Sequence, residues 1–201
     1  MKTGQSEDGG QGGLRTRLIG VARAILEQEG LEALTLRAAA RGSGVSHMAP
    51  YRHFESKDDL LAAVAEQGFD ELSQSMAVKA GRQAQHAVAR RAVGVAYVSF
   101  ALDNPALYRL MFGSNLKPRE RFPGLVAAGG RAFEQCIAVS GGKRLPHVLT
   151  EPPPLKAVAL WSLVHGLANL AIDGLIPLPT SGARREKMIS TILEAATEPP
   201  T

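Results

Sequence analysis

Cysteine is almost absent from this chain: Cys136 stands alone among 201 residues. No intramolecular disulfide can form, and a reducing, cytoplasmic setting is the simplest expectation. Aromatic residues are sparse at 5%, with a single tryptophan, Trp161. A secretory leader is not visible: residues 1–13 are rich in Gly, Gln and Ser, lack an apolar stretch, and read as a disordered tail. Long uncharged apolar runs are missing too. The most apolar stretch, 157–176, carries His165, Asn169 and Asp173, so it reads as a buried helix and no membrane partner is expected. Neither charge sign dominates. The net charge of +4 and a sequence pI of about 9.5 mildly favour an anionic partner.

Catalytic constellations are lacking as well. The five histidines (His47, His53, His86, His147 and His165) are scattered, and none sits at metal-ligand spacing. Gly141-Gly142-Lys143 lacks the other residues of a phosphate-binding loop. Cys136 lies among apolar residues with no basic neighbour, which reads as buried and inert. No catalytic residue, metal or cofactor is expected, and a small helical enzyme is the remote alternative.

Strand signals are also scarce, with no sustained alternation and no Asn-Gly or Asp-Gly hairpin. Helical spacing fills the chain instead. Leu14, Leu18, Val21, Ala22, Ile25 and Leu26 share one face, and Gly30 closes that helix. Thr35 caps a short helix to Arg41, Ser46 a third to about His53, and Ser56 a fourth from Lys57 through Phe69. After a less patterned stretch, 73–81, helices are expected over 82–102, 106–112 (opened by Asn104-Pro105), 125–139, 155–176 and 183–196. Loops rich in Gly and Pro separate them at 113–124 and 140–154. The fold class is all-α, with 1–13 a tail, 14–72 an N-terminal unit and 82–197 a C-terminal helical domain.

The segment from Thr35 to Phe54 is the most informative. Two short helices flank a glycine turn, the layout of a helix-turn-helix whose second helix enters the major groove. Ala38, Ala39 and Ala40 keep the first helix slim, Gly44 permits a positive φ, and Val45 is placed to plug the centre. The second helix presents Ser46, His47, Met48, Ala49, Tyr51 and Arg52. Arg37, Arg41, Arg52 and Lys57 face only Glu55, which makes a local basic patch. On spacing alone, an αα-hairpin inside another bundle is an equal alternative.

The run from Thr35 to Leu61 resembles the TetR family signature. Gly44-Val45-Ser46 is followed by Tyr51, Phe54 and Lys57 at spacings of three and by the pair Leu60-Leu61. The preceding helix ends in Glu29-Gly30, as that family's first helix does. The resemblance implies a three-helix DNA-binding domain on double-stranded operator DNA. It gives Tyr51 and Lys57 phosphate contacts, assisted by Thr35, and places Ser46, His47 and Arg52 near base edges or phosphates. Phe54 is implied to hold the reading helix in the core. Met48-Ala49-Pro50 departs from the pattern: Met48 and Ala49 offer thymine-methyl contacts without hydrogen bonds, and Pro50 can kink a short helix.

In the C-terminal half, Trp161, His165 and Asn169 recur every fourth residue on one helical face. That face reads as core or dimer seam before it reads as a ligand cavity. With Pro105–Gly113, the Trp161, His165 and Gly166 set resembles the C-terminal domain of a TetR subgroup named for a Trp-His-Gly motif. The implied partners are a second copy of the chain, paired through the last two helices, and a small, mainly apolar effector. Candidate ligand contacts are Tyr97, Phe100, Tyr108, Met111, Phe112, Phe133, Trp161 and His165. The expected activity is repression relieved by that effector, against the alternative of control by a protein partner.

Overall fold

The computed structural model describes residues 8–81, 85–141 and 153–197. Among them lie eight α-helices and no strand: α1 (Asp8–Glu29), α2 (Leu36–Gly42), α3 (Lys57–Ala80), α4 (His86–Asp103), α5 (Pro105–Phe112), α6 (Pro123–Val139), α7 (Leu155–Ile172) and α8 (Gly182–Thr197). Two 3₁₀ turns, Pro50–Arg52 and Arg119–Arg121, interrupt the connections. The all-α expectation holds. His147 and Gly142-Lys143 fall outside the described residues.

Several boundaries follow local chemistry read from the sequence. Gly30 adopts φ +87 and closes α1. Thr35 Oγ1 accepts the Ala38 N–H at 3.0 Å and caps α2. Ser56 and Asp59 form a reciprocal capping box at the start of α3: Ser56 Oγ accepts the Asp59 N–H at 3.2 Å, and Asp59 Oδ2 accepts the Ser56 N–H at 2.8 Å.

Other boundaries differ. α1 begins at Asp8, so 8–13 are helical rather than tail. The stretch 73–81, expected to lack pattern, continues α3 to Ala80, because Leu72 and Met76, four residues apart, are both fully buried and extend the core stripe. α7 stops at Ile172 rather than Ile176. Gly174 turns to φ +73, and the N–H groups of Leu175 and Ile176 return to the Leu170 carbonyl, which seals the helix end.

The core is one continuous body. Leu18, Ala22 and Leu26 of α1 join Leu60, Val64 and Phe69 of α3, and the same cluster runs on through α4, α5, α6 and α7 to Ile189 and Leu193 of α8. α3 is the spine, packing on α1, α4, α5 and α6. Glycine permits one close approach: a Cβ on Gly68 would lie 2.7 Å from Met111 Sδ and 3.1 Å from a Leu107 methyl, so α5 nests directly against α3.

α7 buries a single stripe, Ala157, Leu160, Val164, Leu167 and Ala168. Its near-complete apolarity points to burial in the core or in a dimer seam. Within the single chain Leu155, Val158, Ala159, Ser162 and Leu170 remain exposed, Leu155 at 85%. By length and composition alone α7 matches a membrane span, yet 28% of it is buried within the protein.

Candidate functional site

The helix-turn-helix segment is compact and has a polar outer surface. Gly44 takes φ +66, and the Ser43, Gly44 and Val45 N–H groups all bond back to carbonyls of α2. A Cβ on Gly42 would stand 2.6 Å from a Val21 methyl, so the end of α2 presses onto α1. Phe54 is 3% exposed and fixes the following segment in the core, with the Arg15 guanidinium 5.5 Å over its ring. Val45 is only half-buried and supports the turn from its edge.

The expected third helix, Ser46 to His53, does not form. A turn at 47–48 leads into the 3₁₀ turn Pro50–Arg52. The reason is Pro50. It has no N–H to return to the Ser46 carbonyl, so the Ala49 N–H takes that carbonyl in a three-residue spacing, and Arg52 and His53 repeat the spacing onward. Ser46 therefore caps no α-helix. Its neighbourhood is nonetheless open: Thr35, Arg37, Ser46, His47 and Arg52 are exposed, Met48 is 70% exposed and Tyr51 47%. Arg37, Arg41 and Arg52 make no ion pair with any described residue. Lys57 sits differently. It is half-buried, and its Nζ donates to the Leu31 carbonyl at 3.1 Å, tying the start of α3 to the loop after α1.

Six of the eight candidate ligand contacts meet in one aromatic cluster. Tyr97 packs edge-on to Tyr108 (centroids 6.0 Å) and Trp161 (5.4 Å). Phe112 touches Tyr108 (4.8 Å) and His165 (4.7 Å), and Phe133 closes on Trp161 (5.3 Å). Met111 is fully buried but turns toward Gly68 of α3. Phe100 lies elsewhere, on the wall of a polar cleft of about 270 Å³ beneath α8.

Two phenol oxygens and one imidazole nitrogen meet within this cluster. Tyr108 Oη is 2.6 Å from His165 Nδ1, Tyr97 Oη is 3.1 Å from the same nitrogen, and the two hydroxyls are 3.1 Å apart. Burial raises both tyrosine pKa values, so both remain neutral phenols. Burial also lowers that of His165. Cys136, fully buried on α6, has its thiol pushed up to about 12 by desolvation.

The two halves are joined by polar contacts that sequence reasoning missed. Arg23 of α1 grips the Glu71 carboxylate at 2.5 and 2.6 Å and donates to Asn104 Oδ1 at 2.8 Å. Asn104 was expected to cap α5 with its side chain. It spends that side chain on Arg23 and on the Phe100 carbonyl instead. Glu27 of α1 takes its place, accepting the Leu107 N–H at 2.9 Å. Next door, Arg185 of α8, 6% exposed, donates to both carboxylate oxygens of Asp103 and to the Thr180 carbonyl. The Arg23–Glu71, Arg23–Asn104, Glu27–Leu107 and Arg185–Asp103 pairs are 48 to 82 residues apart, so no local pattern announces them.

Comparison with known proteins agrees with this architecture. Residues 18–64 match the family described as bacterial regulatory proteins, tetR family, and 90–194 match the tetracyclin repressor-like C-terminal domain. The chain is 29% identical over 163 residues to the uncharacterized HTH-type transcriptional regulator Rv0681 of Mycobacterium tuberculosis, spanning 81% of this chain and 72% of that protein. A solved protein of unknown function from Rhodococcus sp. RHA1 is 28% identical and superposes with a TM-score of 0.73, covering 90% of this chain and 92% of that one. The TetR family regulator PfmR of Thermus thermophilus, 21% identical, shares the fold at a TM-score of 0.64 over 93% of this chain and 97% of its own. With one match over the helix-turn-helix and another over more than half of the chain, this protein belongs to the TetR family: it is a DNA-binding transcriptional regulator and not an enzyme.

Proposed function

We propose that this regulator is a repressor that occupies a palindromic operator as a homodimer and leaves it when an apolar small molecule enters the aromatic cluster. The observation that carries the DNA reading is the exposed polar surface around one rigid turn. Thr35, Arg37, Ser46, His47, Met48, Tyr51 and Arg52 stand free of the core while Pro50 and Phe54 are buried beneath them. Tyr51, Thr35 and Arg37 take phosphates, Ser46, His47 and Arg52 reach base edges, and Met48 meets thymine methyls. Lys57 retains two N–H donors beyond its bond to Leu31 and serves a phosphate through them.

The exposed apolar stripe on α7, with Met188 of α8 at 40% exposure, suits a second copy of the chain in a four-helix seam. A protein partner of the same shape explains a half-apolar helix better than a bilayer does, because α7 packs its other face on α4 and α6. The cytoplasm is the setting in which such a regulator meets DNA. Phe112, Phe133, Trp161 and His165 are the partly exposed members of the cluster, and they form the entry side of the effector site.

Selection from random duplexes near physiological salt tests this reading. One palindrome is enriched by the wild type, and enrichment weakens in a Tyr51→Phe, Lys57→Ala double variant. Sequence-blind, salt-sensitive binding alone removes the proposed operator reading.

A further inference from the structure

The hydroxyl pair and the imidazole leave little freedom for protons. Tyr97 Oη, Tyr108 Oη and His165 Nδ1 lie within 3.1 Å of one another. The two phenols bring two protons to this triangle. With Nδ1 unprotonated, Tyr108 donates to it across the short 2.6 Å contact, and Tyr97 donates to Tyr108 or to Nδ1. Every proton then has an acceptor. A proton on Nδ1 reverses this. The nitrogen becomes a donor to one phenol, that phenol donates to the other, and the last O–H has nowhere to point. Both tyrosines are fully buried, so no solvent relieves it.

His165 is thereby held neutral, with its proton on Nε2. That N–H has no partner among the described residues, and the side chain is only half-buried. The rings around it are aromatic: Phe112 at 4.7 Å edge-on and Tyr108 at 5.6 Å, with Trp161 5.9 Å beyond Phe112. A hydrogen-bond donor whose orientation is fixed by its Nδ1 contacts thus stands among mainly aromatic surfaces, where it can orient a bound molecule.

We propose that His165 sets effector specificity as a fixed neutral donor, and that the effector is an uncharged apolar molecule offering a carbonyl-type acceptor to Nε2. This rests on the proposal that the aromatic cluster is the effector site. Because Nδ1 is occupied, the ring cannot serve as an acceptor for an incoming N–H or O–H. Because imidazolium is excluded by the same accounting, the ring supplies no cation that would favour a carboxylate.

A matched pair of probes tests both levels. The full chain is titrated with cyclohexanone and with methylenecyclohexane, which share a shape while only the ketone carries an acceptor. Trp161, the sole tryptophan, reports binding by its fluorescence. Because the ketone also gives up its hydration on binding, the readout is the ketone-to-hydrocarbon affinity ratio, which is expected to be about five- to tenfold higher in the wild type than in His165→Phe. Binding of both probes with the same ratio in the wild type and in His165→Phe overturns the donor role and leaves the effector site standing. No response to either probe removes the cluster as a ligand site, and the donor role with it. Nitrogen-15 spectra of the wild type provide a check that needs no variant to fold: at neutral pH, Nε2 protonated and Nδ1 bare is the expected tautomer, and the opposite tautomer or an imidazolium overturns the inference.

Discussion

Glu27 Oε1 accepts the Leu107 backbone N–H at 2.9 Å, so a side chain of the DNA-binding half closes the first turn of a helix in the C-terminal half. Pro105 opens α5 without an N–H to satisfy, and the nominal cap Asn104 is engaged by Arg23. The two domains therefore share one helix start. Removing the carboxylate with Glu27→Ala leaves the Leu107 amide without its acceptor and loosens that joint. A loss of about 1 kcal/mol of stability is expected in urea titrations. Operator affinity should fall beyond what reduced folding explains, measured where the variant is fully folded.

Gly68→Val tests the nesting of α5 on α3. The new side chain meets Met111 Sδ and the Leu107 methyls, and both residues are fully buried. Helix propensity favours the change slightly, but overpacking dominates at about 1–3 kcal/mol. A clear fall in Tm is the expected result, and an unchanged Tm contradicts the close contact.

His165 makes stability depend on pH in a defined direction. Burial lowers its pKa in the folded state, so below about pH 6.5 the unfolded chain binds a proton that the native state refuses. The unfolded state then carries more protons, and stability falls as pH decreases from about 6.5. Comparing wild type with His165→Phe by chemical denaturation at pH 7.5 and 5.5 isolates the effect. The drop should be smaller in the variant.

Cys136 should ignore thiol reagents in the native protein. Its thiol is fully buried and pushed up to about 12, so the reactive thiolate is absent at pH 8. A chromogenic disulfide reagent is expected to label it only on unfolding, with a rate that rises with denaturant. Prompt stoichiometric labelling without denaturant contradicts this packing.

Helix order was legible because caps and periodicity are local. Thr35, Ser56 and Gly30 announce their boundaries within four residues, and the structure follows them. The aromatic cluster was partly legible, since Tyr108, Phe112, Trp161 and His165 sit at helical spacing on two segments. Their convergence on Tyr97, and the exclusion of Phe100, depend on how α4 rotates against α5 and α7, which spacing does not encode. The reading segment was misjudged where one residue outweighed a pattern. Ser46 to His53 has helical composition, yet the missing N–H of Pro50 converts it to 3₁₀ geometry. The Arg23–Glu71, Glu27–Leu107 and Arg185–Asp103 contacts were not legible at all, because the partners lie 48 to 82 residues apart.

The shared start of α5 has a mechanical consequence. This helix has eight residues and is about 12 Å long. Leu107, near one end, is tied to the scaffold of the reading turn, while Phe112, at the other, touches Trp161 and His165. A rod so short does not bend appreciably, and a tilt of about 5° displaces one end relative to the other by about 1 Å. If an effector occupies the cluster as proposed, a shift of Phe112 by the length of a single bond is passed along α5 to the Glu27 contact, and so to α1 and the turn packed on it.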